Sequence, residues 1–171
     1  MESLRNIVCA LLVTSMAMAS GQIVDQTKMK GDVNANKSKV NVGGFHSTKS
    51  KAKNSTIESK TNMVGDIKAN KSTVSVGGVK LNNSSLTNSS IKADTNMKGD
   101  IKANKSIVNV GGVKLDNTSL DKVNVTSKTD MKGDITANKS QVNVGGVDLK
   151  DSKLGNSTLK DVTTMKGDIK A

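Results

Sequence analysis

Residues 97–113 read "MKGDIKANKSIVNVGGV", and residues 131–147 read "MKGDITANKSQVNVGGV". Neither copy holds a histidine, a cysteine or an aromatic residue, so the stretch does not recur for reactive chemistry. What recurs is a spacing. Met29, Met63, Met97, Met131 and Met165 fall 34 residues apart without drift. Thr-x-Met, Gly-Asp, Asn-Lys-Ser and Val-x-Val-Gly-Gly travel with them. A fixed period of this length marks a repeat architecture. The repeats are expected to start at residues 29, 63, 97 and 131, with a partial fifth at 165, so that 29–171 form one repeat domain.

The alternation of apolar residues decides the element type. Ile101 and Ala103, Val108 and Val110, and Val113 and Leu115 stand two residues apart, with Lys or Asn between them. Helical repeats of the same length need apolar residues three and four apart. β-Branched residues are common here, and Gly, Asn and Ser clusters interrupt the chain every few residues, which predicts short strands. No single repeat can bury its own apolar face, whereas stacked repeats bury one another's. The expected fold is therefore all-β, a β-solenoid of 34-residue repeats. Each repeat could close as one coil of 34 residues or as two of 17, and Val-Asn-Val at Val108 and again at Val123 favours two coils per repeat. In such a stack Asn36, Asn70, Asn104 and Asn138 are expected to form a ladder of amides, and the methionines to fill gaps.

The start of the chain reads differently. "MESLR" precedes the apolar "NIVCALLVTSMAMA", and Ala17-Met18-Ala19 offers small residues for cleavage after Ala19. Residues 1–19 are expected to be a secretory signal peptide, with a short segment 20–28 before the repeats. The expected location is extracellular or on the cell surface. Cys9 is the only cysteine and falls in the leader, so a mature chain would have no disulfides to compensate for a thin core.

At this point the chain resembles bacterial functional-amyloid subunits of the curlin and Fap kind. The shared features are a leader, Asn/Gly/Ser-rich repeats and alternating small aliphatics, with the "NSSLTNSS" to "VNVGG" progression nearest to Fap repeats. That resemblance implies a secreted monomer that polymerises into fibres of a biofilm or adhesive matrix. Gln ladders, typical of those subunits, are nearly absent, with only Gln22, Gln26 and Gln141. The "GDIKA…VNVGG" phrase is also similar to filamentous-haemagglutinin-type adhesin repeats and to bactofilins, and the leader argues against the cytoplasmic bactofilins.

Chemistry finds little footing. His46 is the single histidine, serines are too numerous for one to stand out, and the aspartates at 66, 100, 134 and 168 are copies of one position, whereas an active site needs different residues in different roles. No catalytic residue, cofactor or metal ligand is assigned, and an enzyme is not expected. The charge is more informative. The chain carries a net +11, and every cation after Arg5 is lysine. Lys68, Lys71, Lys98, Lys102, Lys105, Lys132 and Lys139 are the candidates for holding an anionic polysaccharide or cell surface. Nucleic acid is expected to bind without sequence preference, since Arg forks and aromatic platforms are missing. Met165, Gly167 and Ile169 open the last repeat and are the expected assembly edge, through which copies would self-associate.

Overall fold

The computed structural model describes residues 8–13, 17–18 and 21–170, which form strands and tight corners with no helix among them. The first full coil comprises β3 (Gly21–Lys30), β4 (Val33–Asn36), β5 (Lys39–Thr48) and β6 (Lys51–Lys53), preceded by β1 (Val8–Val13) and β2 (Ala17–Met18). The second runs through β7 (Ser55–Val64), β8 (Ile67–Asn70), β9 (Thr73–Val76), β10 (Val79–Asn82) and β11 (Ser85–Thr87). The third follows with β12 (Ser90–Lys98), β13 (Ile101–Asn104), β14 (Ile107–Val110), β15 (Val113–Asp116) and β16 (Ser119–Asp121). The fourth has β17 (Asn124–Lys132), β18 (Ile135–Asn138), β19 (Gln141–Val144), β20 (Val147–Lys150) and β21 (Lys153–Gly155). β22 (Thr158–Lys166) and β23 (Ile169–Lys170) begin a fifth.

Every strand pairs in parallel with its equivalent one repeat away: Val113 lies opposite Val79, Met131 opposite Met97, and Ile135 opposite Ile101. One repeat is thus one coil, and the expected two coils per repeat are corrected to one. Val108 and Val123, whose likeness suggested a second coil, pack in separate parts of the interior. Four parallel sheets form the walls. The first is β3-β7-β12-β17-β22 and the second β4-β8-β13-β18-β23. The third is divided by its glycines: β9, β14 and β19 extend from one half of β5, and β10, β15 and β20 from the other. The fourth is β2-β6-β11-β16-β21.

β1 and β2 fall inside the expected leader. Leu11 lies opposite Phe45 and Ala17 opposite Lys51, the one-repeat offset of the later strands, whereas Val8 and Cys9 lie opposite Asn41 and Val42, with a register shift before Leu11. The expected cleavage position, Ala19, lies outside the described residues.

The interior has two lobes. Met63, Ile67, Val74 and Val76 with their equivalents fill one, and Ile57, Val79, Leu81 and Leu86 with theirs fill the other. Between them the Gly-Gly corner reaches across to the long strand. A Cβ on Gly43 would meet Thr61 Oγ1 at 2.6 Å, and one on Gly78 would meet the Gly112 carbonyl oxygen at 2.7 Å. Both glycines also have positive φ, 64° and 88°, so only glycine fits this waist. The Oγ1 atoms of Thr61, Thr95 and Thr129 are buried there without a hydrogen-bond partner. The expected interior of aliphatics alone therefore carries a polar seam as well.

Three further corners of the coil share one device. Lys71, Asn83 and Asn88 adopt φ near 50° (50°, 51° and 48°), and each precedes a buried serine. Ser72 Oγ donates to the Asn70 carbonyl at 2.8 Å and accepts the Ser38 N–H at 3.2 Å. Ser84 and Ser89 repeat this with Asn82 and Ser50, and with Thr87 and Ser55. Each serine thereby closes its own corner and satisfies a backbone donor of the neighbouring coil, which would otherwise be buried unpaired.

Candidate functional site: the lysine stripe and the outermost strands

Outward positions on the second sheet and its two borders collect the candidate lysines. Lys68 and Lys102 sit at the second position of β8 and β13, which alternate buried and exposed residues. Lys71, Lys105 and Lys139 occupy the corner after that sheet, and Lys98 and Lys132 end the long strands before it. All seven therefore lie along one side of the solenoid, in rows whose members are separated by one strand spacing, about 4.8 Å. No single repeat makes this stripe; stacking in register does.

An aspartate row runs through it. Asp66 Oδ1 accepts the Asp100 N–H at 3.0 Å, and Asp32, Asp100 and Asp134 accept from the next aspartate in turn at 2.9 Å. These carboxylates are committed to the corner, each bridging two coils. The reason for Gly-Asp in every repeat is thus structural. Among the described residues no three His, Cys, Asp or Glu side chains come together as a metal site would require.

The asparagine ladder is present in register and uneven in bonding. Asn36, Asn70, Asn104 and Asn138 stack opposite one another. Among them only the Asn70 to Asn36 pair is within hydrogen-bond reach, at 3.4 Å. Shorter amide contacts occur in rows the sequence reading did not single out: Asn143 Nδ2 donates to Asn109 Oδ1 at 2.8 Å, and Asn117 to Asn83 at 2.5 Å. Both rows were visible as asparagines one period apart.

His46 stands half-buried on β5 opposite Lys80 of β10. Burial, and then the Lys80 charge, hold its imidazole below the ordinary histidine value.

β3 and β22 bound the first sheet on opposite sides, as β4 and β23 bound the second. The expected edge residues Met165, Gly167 and Ile169 lie in and between β22 and β23. The outermost coil leaves open what the inner coils cover. Leu149 is 41% exposed where its equivalent Leu115 is 0%, and Ile169 is 65% exposed where Ile135 is 3%. Comparison of the chain with protein-family models, curated proteins and solved structures gave no match.

Proposed function

We propose that this chain is a secreted structural protein whose copies stack coil upon coil into an extracellular fibre or matrix, with no catalytic role. One observation carries the reading. β3 and β22, the two outer strands of the first sheet, present the same inward row in the same phase: Ile23 and Leu159, Thr27 and Thr163, Met29 and Met165. Setting β3 of one copy on β22 of another would repeat the pairing already made four times within the chain. It would also set β4 on β23 and cover Ile169, which the outer coil leaves open. Such a head-to-tail contact does not close on itself and propagates as a filament.

The edge can be blocked without disturbing the coil. In inner coils the isoleucine N–H that begins the second-sheet strand donates to the next coil, as Ile101 does to the Asp134 carbonyl at 2.8 Å. The Ile169 N–H therefore faces the free side. Ile169→Pro removes a donor needed only for stacking. Filaments in electron micrographs of the purified chain, lost in Ile169→Pro, are the expected result. A wild type that sediments as a monomer at high concentration in every buffer would refute the reading.

A second reading rests on the lysine stripe: a module that holds an anionic polysaccharide or cell surface. Heparin retention should fall steeply with salt, as for any contact made by displacing counterions. Replacing Lys102 and Lys105 with Gln should flatten that dependence more than replacing the same number of lysines on the third sheet, Lys80 and Lys114. Equal effects from both sets would show that net charge alone does the binding.

A further inference from the structure

One inward position of the first sheet breaks the pattern only at its outer strands. The row reads Asp25, Ser59, Ala93, Ser127 and Asp161. Inner coils place a small residue there, fully buried at Ser59 and Ser127 and nearly so at Ala93. Both outer strands place a carboxylate. Asp25 Oδ2 accepts the Gly44 N–H at 2.9 Å and the Ser59 hydroxyl at 3.2 Å. Asp161 accepts the Gly146 N–H at 3.2 Å through Oδ1 and the Thr163 hydroxyl at 3.0 Å through Oδ2. Each carboxylate thus points to the waist of the coil and is held there by hydrogen bonds.

Resting on the stacking reading above, we propose that Asp25 and Asp161 form a carboxylate gate between copies, so that stacking takes up a proton and is promoted by acid. With β3 of one copy on β22 of the next in the one-repeat register, Asp25 falls directly opposite Asp161. Two carboxylates one strand spacing apart, about 4.8 Å, in an interior closed to water cannot both stay ionised.

Among the described residues no other charged side chain faces them: on β5, which packs against β3, Lys39 is exposed and His46 alternates to the outer face opposite Lys80. On β7 the residues facing Asp25 are Ile57, Ser59 and Thr61, and across the interior lies the Gly43-Gly44 corner. β1, which also approaches β3, has Cys9 as its only titratable residue. Facing Asp161 are Val125, Ser127 and Thr129 of β17 and the Gly145-Gly146 corner. Lys60 and Lys128 of the same sheet are exposed on its outer face. The pair therefore relieves its repulsion by sharing one proton, so stacking strengthens by up to about tenfold for each pH unit of acidification over the window above the ordinary carboxylate range, where free copies are ionised and the stacked pair holds its proton. Inward-pointing charges on outer strands are a known means of keeping edges apart; here the means is reversible.

The direction distinguishes this gate from the general electrostatics of the chain. Acid raises a net charge that already stands at +11, so repulsion between whole copies predicts slower assembly on acidification. The test measures filament growth by light scattering and electron microscopy, at about pH 4.5 and about pH 7.5, for the full chain and for Asp25→Asn and Asp161→Asn. Asparagine keeps the size and an acceptor for the glycine N–H while removing the charge. Circular dichroism of each variant confirms that the coil is intact. Expected are wild-type growth at least tenfold faster in acid, and variants that grow at neutral pH as the wild type does in acid. Variants that keep the wild-type pH dependence, or a wild type that grows equally at both, would overturn the gate and leave stacking in place. Absence of filaments from all three proteins at both pH values would overturn stacking itself.

Discussion

At the scale of single residues, the corners are where this chain gives up stability. Lys37, Lys71, Lys105 and Lys139 all adopt φ near 50°, a conformation that costs a β-carbon-bearing residue roughly 1–2 kcal/mol and that asparagine tolerates better. Lys105→Asn should therefore raise stability by about 0.5–1 kcal/mol, read as a higher melting temperature. The waist offers a second opportunity. Thr95 Oγ1 is buried without a partner, and Thr95→Val keeps the shape while removing that hydroxyl, so the change should be neutral or stabilising by up to about 1 kcal/mol. Neighbouring residues on β14 make the sharpest contrast. Val108 is 0% exposed and Ile107 is 43% exposed. Val108→Asp buries an unpaired charge and should cost more than about 4 kcal/mol, whereas Ile107→Asp should stay within about 0.5 kcal/mol. Urea titration of both variants checks the assigned facing.

At the scale of the element, strands were legible because their period is two and their ends are marked. Ile101-Ala103, Val108-Val110 and Val113-Leu115 are each the buried pair of one short strand. The long strand was less visible. Ser90–Lys98 carries Ile91, Ala93, Thr95 and Met97 inward, and a threonine and a small residue at buried positions look polar in a sequence. Only the close approach of the glycine corner explains why they are small. The serine corners are half legible: Asn-Lys-Ser recurs with the period, while Asn83-Ser84 and Asn88-Ser89 look like any other Asn/Ser cluster of the chain. Each is the same motif of a positive-φ residue followed by a serine facing in. Ser106 shows its worth, since its hydroxyl donates to the Asn104 carbonyl at 2.8 Å and accepts the Ser72 N–H at 3.1 Å. Ser106→Ala should cost about 1–3 kcal/mol by orphaning that donor, and faster amide exchange at Ser72 should report it.

At the scale of the whole molecule, the period was fixed by the methionines, and the number of coils was not. A 34-residue repeat is compatible with one wide coil or two narrow ones, and local likeness between Val108 and Val123 favoured the wrong choice. Those valines are 15 residues apart, which matches neither closure, and they belong to different lobes. Inserting a second copy of residues 97–130 after Asp130 should add one coil and raise the melting temperature, because each coil adds another interface. Inserting residues 97–113 at the same place should set every later strand out of register and lower it. The lysine stripe follows from the same closure: the lysines were visible one by one, and their gathering on one side depends on where a coil returns.

That closure also bears on how such a protein changes over generations. A recombination event that duplicates one repeat of the coding sequence lengthens the rod by about 4.8 Å and leaves its girth and its surface rows as they were. Length can then drift by unequal crossing-over alone, in whole steps, while any other insertion is penalised at once. The outer strands stand apart from this traffic. Duplicating an inner repeat never copies Asp25 or Asp161, so longer and shorter rods would keep that one pair of carboxylates whatever their number of coils.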